Sequence, residues 1–343
     1  MRDQSSPSGG QPTLESVAAL AGVSRATAGR VLSGSPRVSP AAKQAVQDAA
    51  AELSYVTNRA ARSLVTRRSD SIAFVVSESE ERLFEDPFFP AVLRGAHKAV
   101  SGESVQLVFV VLATPSEHER FFRFAAGGHV DGAMFISLHG DDPLPNRLRQ
   151  VGIPVVLSGR PFRPDDDIPS VDADNVTGAR LATRALLDAG CTRLSTITGP
   201  LDMPAAQDRL RGYQDELTDS RRKVARTRTI ESDFSTDGGF EAMNQLLRNR
   251  FAPDGVFAAN DQMAVGAMRA VREAGLQVPR DVKVVGFDDS PLATAAHPPL
   301  TSVRQPMEEL GREMAHLLMA LVNGEATHTS VMLPTELVVR GTC

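Results

Sequence analysis

A chain of 343 residues with 42% hydrophobic and 23% charged side chains is long enough for two or three packing units, because single cores rarely grow beyond about 250–300 residues. No run approaches the ~18 consecutive apolar residues of a membrane span, and the polar opening MRDQSSPSGG has no apolar core of a secretory signal and reads as a disordered tail. Two cysteines, Cys191 and Cys343, are too few for a disulfide framework or a zinc site and fit a reducing cytoplasm, and the seven histidines show no metal-ligand spacing.

The net charge of -5 hides a split: residues 1–70 carry nine Lys/Arg against five Asp/Glu, and the remainder is acidic. A basic head on an acidic body suits a small nucleic-acid-binding unit joined to a unit with another task. Within that head, Leu14, Val17, Ala18 and Ala21 fall on one stripe of a short helix, with Thr13 as its N-cap. Gly22 stops the helix, Val23 is the apolar residue of a tight turn, and Ser24 caps a second helix over 25–32 with Ala28, Val31 and Leu32 inward. Helix, three-residue turn and basic second helix are the layout of a helix-turn-helix. Ser39-Pro40 opens a third helix to about Leu53, with Val46, Ala49, Ala50 and Leu53 as its core face. A short helical pattern follows from Asn58 to Leu64, then a linker, TRRSD.

From Ser71 the texture changes. Apolar runs of strand length at 72–76, 105–111, 133–136, 155–157, 194–197, 256–258 and 282–287 alternate with amphipathic stretches near 90–100, 116–126, 175–189, 205–218, 237–249 and 261–274. Buried strands alternating with helices mean parallel sheets, and seven such units fit two doubly wound lobes better than one sheet. The Pro/Asp-rich RPFRPDDDIPS marks the lobe boundary near 160–172, a helix over 307–322 returns to the first lobe, and a strand over 331–339 adds to the second. The expected organisation is therefore a tail (1–11), a helix-turn-helix domain (12–57), a hinge helix and linker (58–70) and a body (71–343). The first lobe would hold about 71–165 plus 303–323, and the second 166–302 plus 324–340.

The segments PTLESVAALAGVSRATAGRVL and VSPAAKQAVQDAAAELSYVTNRAARSL, followed in order by VDGAMFIS, GIPVVLSGR, ITGPLDMPAAQDRLRGY, VFAANDQMAVGAMRAVREAG, VPRDVKVVGFDD and HPPLTSVRQP, resemble the lactose-repressor (LacI) family of bacterial transcription regulators. The resemblance spans about 12–340. It implies an α-helical helix-turn-helix head joined to an α/β periplasmic-binding-protein-like body of two doubly wound lobes. It also implies a homodimer on a pseudo-palindromic operator, with a small effector in the interlobe cleft and no cofactor.

By that resemblance, Arg25, Ala26 and Arg30 face base edges, where arginine bonds guanine O6 and N7 at about 1–3 kcal/mol of discrimination. Ser24 and Thr27 serve phosphates, which fix register without carrying sequence information, and Thr13 is a further DNA-binding position. Gly29 stands mid-helix where the family usually has serine, at a cost of about 1 kcal/mol in helix propensity. Asn58, Arg59, Ala61, Arg62 and Leu64 match the family's hinge helix, whose leucine wedges into the minor groove at the operator centre. An isolated helix this short is marginal, so DNA would order it.

In the body the resemblance assigns Arg209 to ligand hydroxyls and Asp288 and Asn260 to the cleft. It adds Gln262 beside them and Phe234 as an aromatic stacking on a sugar ring. Asp86, Phe88 and Phe89, in ESEERLFEDPFF, match the family's helix opening whose aromatics border the cleft. Acid, amide, arginine and phenyl faces suit a neutral polyol, and the wider resemblance is to relatives sensing disaccharides such as cellobiose or maltose. A purine effector stays open. Two readings from other classes compete. A transport-type sugar-binding protein should carry a signal peptide and no basic head. An enzyme should carry a nucleophile elbow, a metal cluster or paired carboxylates, none of which the sequence shows. Residues 335–343 carry no leucine heptads, which fits a dimer rather than a tetramer.

Overall fold

The computed structural model describes residues 12–32, 37–55, 68–163, 166–220, 226–248, 252–325 and 330–343. The chain divides into two compact units, Met1–Ser69 and Asp70–Cys343.

In the first unit, helices Leu14–Leu20, Arg25–Leu32 and Pro40–Glu52 close on Val17, Ala18, Ala28, Val31, Val46 and Ala49. Thr13 and Ser16 form a reciprocal capping box at the first helix, which satisfies two orphan donors. Gly22, at φ +64°, makes the left-handed turn between the helices of the motif.

Among the described residues, the second unit holds twelve strands in two six-stranded sheets. They are β1 (Ser71–Val76), β2 (Gln106–Val111), β3 (Gly132–Ile136), β4 (Val155–Ser158), β5 (Ser170–Ala173), β6 (Arg193–Thr198), β7 (Arg226–Glu231), β8 (Gly255–Ala258), β9 (Lys283–Asp288), β10 (Thr301–Arg304), β11 (Ser330–Leu333) and β12 (Glu336–Val338). The first lobe is the all-parallel sheet β11-β5-β4-β3-β1-β2. The second lobe is β12-β10-β9-β8-β6-β7, parallel except for the antiparallel β10–β12 pair. Each sheet is covered on both faces, which is why β1 and β3 are buried at every position and read as continuous apolar runs.

Helix Met307–Asn323 packs on the first lobe through Leu310, Met314, Ala315 and Leu318. The expected lobe boundary needs correction at three places. Ser170–Ala173 is a strand of the first sheet, so the Pro/Asp-rich stretch leads into β5 and the chain crosses only at Asp174. Thr301–Arg304 pairs with β9, so the return to the first lobe comes after residue 304 rather than before 303. The strand expected over 331–339 is two strands: Ser330–Leu333 extends the first sheet, Pro334-Thr335 crosses, and Glu336–Val338 extends the second. Proline supplies no ladder donor, and that breaks the run. The crossings are bonded to one another, Asp174 N–H donating to the Leu333 carbonyl at 2.8 Å and the Thr335 hydroxyl to the Asp174 carbonyl at 3.1 Å.

Candidate functional site

In the head, Ser24 Oγ accepts from the Thr27 backbone N–H at 3.1 Å and lies 2.9 Å from Thr27 Oγ1, so the motif's second helix is capped by its own first turn. Its core side carries Ala28 and Val31. Arg25, Ala26 and Arg30 are exposed, and Thr27 and Gly29 are half-buried. The Arg25 guanidinium bonds Glu15 of the preceding helix at 2.8 Å, and Arg30 Nε donates back to the Ala26 carbonyl at 3.2 Å. Both are surface contacts of at most about 1 kcal/mol, easily exchanged for a nucleic-acid partner. A Cβ on Gly29 would meet only Leu14 Cδ2, at 3.7 Å, so packing within the head does not demand glycine there. The hinge assignments Asn58, Arg59, Ala61, Arg62 and Leu64 lie outside the described residues.

In the body, the carboxyl ends of the parallel strands face one another across a cavity walled by both lobes. Its floor is built on Arg209, from helix Pro204–Asp219, which lies on the Phe287 ring at 3.8 Å. Arg209 Nε donates to Asn175 Oδ1 at 2.8 Å, one terminal nitrogen donates to the Ala259 carbonyl, and the other reaches Gln305 Oε1 at 3.5 Å. Asp288 stands 3.8 Å away and accepts from Gln305 Nε2 at 2.6 Å. Burial pushes the Asp288 carboxyl well up from its ordinary range, against the pull of the Arg209 charge. Asp288 sits at φ +114°, a conformation that costs about 1–3 kcal/mol and marks a position fixed by its surroundings.

Several predicted residues line this cavity, and two do not. Arg209, Asp288, Asp86, Phe88, Phe234 and Asn260 are on its wall. Phe89 and Gln262 are not on it. Phe88 and Phe89 are neighbours on a helix, some 100° apart around its axis, so when one faces the cavity the other faces the first-lobe core, where Phe89 is 1% exposed. Gln262 instead spans the lobes, its amide donating to the Glu85 carbonyl at 2.9 Å. Asn260 has both ends of its amide engaged: the oxygen caps helix Asp261–Glu273 at Met263 N, and the nitrogen donates to the Phe234 carbonyl. Phe234 is 5% exposed, and the Arg82 guanidinium of the other lobe lies over its ring at 4.8 Å. A Cβ on Gly199 would fall 2.0 Å from that ring, so only glycine leaves room for Phe234 there.

Sequence reasoning missed the cavity's other polar wall. Asp172, at the end of β5, accepts from Arg160 N at 3.2 Å and from the Asn175 amide at 3.0 Å, and burial pushes its carboxyl up to about 6. Arg160 reaches across the lobes to Asp208 at 2.8 and 3.1 Å and to Gln207 at 3.0 Å. Phe162, Ser137 and Met203 also line the space. Position near a strand's carboxyl end was the available signal, since Ser137 follows β3, Asp172 is the last but one residue of β5 and Asp288 ends β9.

Residues 13–58 match "Bacterial regulatory proteins, lacI family", and residues 183–343 match "Periplasmic binding protein-like domain". The chain is 47% identical over 332 residues to the HTH-type transcriptional regulator CelR of Thermobifida fusca, covering 96% of this chain and 98% of that one. The chain belongs to the lacI family of bacterial regulatory proteins. It is 34% identical to the ribose operon repressor of Escherichia coli strain K12 over 304 residues, covering 87% of this chain and 89% of that protein. Among solved structures it matches a transcriptional regulator CelR–cellobiose complex at TM-score 0.77 and 44% identity, covering 97% and 100% of the two chains. It also matches the Lac repressor dimer bound to operator and the anti-inducer ONPF at TM-score 0.83 and 28% identity, covering 97% and 99%. This regulator is thus a DNA-binding transcription factor and not an enzyme, and its two-lobed α/β body follows the family fold. Among the described residues no helix is long and apolar enough to cross a membrane.

Proposed function

We propose that this regulator is a cytoplasmic repressor that binds a pseudo-palindromic operator as a homodimer and is released from it by a disaccharide of the cellobiose type. The observation carrying the effector assignment is the cavity floor. Arginine has five N–H donors. Three of those on Arg209 are engaged by Asn175, Ala259 and Gln305, which leaves two for a ligand. Carboxyl groups of Asp172 and Asp288 stand beside them, and Phe88 and Phe162 offer apolar faces. Two donors in a fork and flanking acceptors match vicinal hydroxyls, and ring faces match the C–H surface of a pyranose. A phosphate is disfavoured, because the arginines on the wall, Arg82, Arg160 and Arg209, already face Glu78, Asp208 and Asp288, with Asp86 and Asp172 beside them. The match to a regulator crystallised with cellobiose supports the choice of first ligand.

On the DNA side, Arg25, Ala26 and Arg30 read base edges in the major groove, Ser24, Thr27 and Thr13 hold phosphates, and the 58–64 segment supplies Leu64 as a minor-groove wedge. The deciding experiment is calorimetry of the full chain with cellobiose, maltose, glucose and purines, beside gel-shift titration on an operator selected from random DNA. Cellobiose binding that weakens the operator complex is the expected result. Binding of a purine and of no sugar would replace the effector class while keeping the regulator.

A further inference from the structure

One group of side chains at the cleft edge belongs neither to the cavity floor nor to the head. Glu78, in the loop after β1, is buried, and its carboxylate accepts from Arg82, from the Ser137 hydroxyl at 2.5 Å and from His139 Nε2 at 3.1 Å. The other ring nitrogen of His139, Nδ1, lies 3.0 and 3.1 Å from the two carboxylate oxygens of Asp202, which belongs to the second lobe. The backbone repeats the connection, Gly140 N–H donating to the Asp202 carbonyl at 2.8 Å. One imidazole therefore stands between two carboxylates, one from each lobe.

We propose that His139 is a positioning residue of the cleft: as an imidazolium it ties Glu78 of the first lobe to Asp202 of the second, so that bringing the lobes together takes up a proton. The physical reason is donor count. A neutral imidazole has one N–H, and its second nitrogen would turn a lone pair toward a carboxylate; only the cation donates at both ends. A second ion pair across the cleft joins Arg160 to Asp208, and it contains no imidazole.

The charged groups around the ring are consistent with this. Glu78 faces it from the first lobe and Asp202 from the second; Arg82 and Asp86 stand by Glu78, Glu231 accepts from the backbone of Leu201 next to Asp202, and Asp141 and Asp142 follow in its own loop, held by Arg163 and His118. The carboxylates outweigh burial and move His139 upward from its ordinary value near 6.5. The sign follows. With the lobes together the imidazolium is favoured more than with them apart, so the tie is complete below the pKa of the separated form and is lost as pH rises through that of the joined form.

The proposal rests on the reading that a sugar binds between the lobes, and its test has an arm that does not. Calorimetry of the full chain with cellobiose between pH 6 and 8.5, in buffers of different ionisation heat, should show proton uptake on binding and a Kd that rises up to about tenfold per pH unit on the alkaline limb. Asp202→Asn and His139→Gln should weaken binding several-fold at pH 6.5 and flatten that limb, leaving the acid limb in place. Independently, the ligand-free chain labelled at histidine Cε1 should give a His139 resonance titrating above pH 6.5, and Asp202→Asn should bring that titration down. A His139 titration unmoved by Asp202→Asn overturns the tie, as does an alkaline limb that survives both substitutions. If cellobiose fails to bind while the resonance moves with Asp202→Asn, the tie stands and the sugar assignment falls.

Discussion

Replacing Arg209 by methionine removes the charge and the fork from the cavity floor while keeping most of the side chain's bulk. In the ligand-free protein the change strips donors from Asn175, Ala259 and Gln305 and leaves Asp288 without its nearest cation at 3.8 Å. Removing one partner of a buried pair costs about 3–5 kcal/mol when the remaining charge has no escape. Here the Asp288 carboxyl, already pushed up by burial, escapes by taking a proton, so the folding cost should fall at or below the lower end of that range. The binding cost is separate. Two charge-assisted hydrogen bonds to ligand hydroxyls, at about 1.5–3 kcal/mol each, amount to a loss of roughly 10²- to 10⁴-fold in cellobiose affinity. Arg209→Lys keeps the charge but not the fork and should recover only part of that loss. Calorimetry with cellobiose, on protein shown to be folded by circular dichroism, measures the effect. A folded Arg209→Met protein binding cellobiose within threefold of the parent would refute the assignment of the floor.

Three other outcomes follow from particular residues. Gly29→Ala should stabilise the head by about 0.5–1 kcal/mol, since alanine is the better helix former and its Cβ meets only Leu14 at an ordinary 3.7 Å; slowed amide exchange over 25–32 reports it, and faster exchange would contradict it. Cellobiose affinity should fall several-fold as pH drops below about 6, where Asp172 protonates and ceases to be a carboxylate acceptor; Asp172→Asn should remove that acid limb, and an unchanged limb would exclude Asp172 from the ligand. Leu64→Ala should weaken operator binding at least tenfold in gel shift while cellobiose binding stays the same, and equal operator affinity would remove the wedge.

Local pattern was enough to read the head and the layout of the body. The head was legible because its signals are short-range: Thr13 and Ser24 cap, Gly22 turns, and Val17, Ala28 and Val46 repeat at helical spacing. The two-lobed body was legible because strands buried on both faces leave apolar runs such as that of β1. Strands without such runs escaped. RTRTIE of β7 sits at a sheet edge, where alternating arginine and threonine leave no continuous apolar signal, and the four residues of β5, SVDA, and of β10, TSVR, are interrupted by polar side chains. Arg209 and Asp288 stood in motifs that read directly, whereas Phe88 and Phe89 were indistinguishable until the helix phase turned one to the cavity and the other to the core.

Which residues meet across the cleft depends on how the whole chain folds. Glu78, His139 and Asp202, like Arg160 and Asp208, are separated by tens of residues, and no periodicity relates them. The three crossings bring them together. A chain that passes between two lobes repeatedly pairs strand ends by topology, and topology is fixed by the summed burial of whole sheets rather than by any one stretch of sequence.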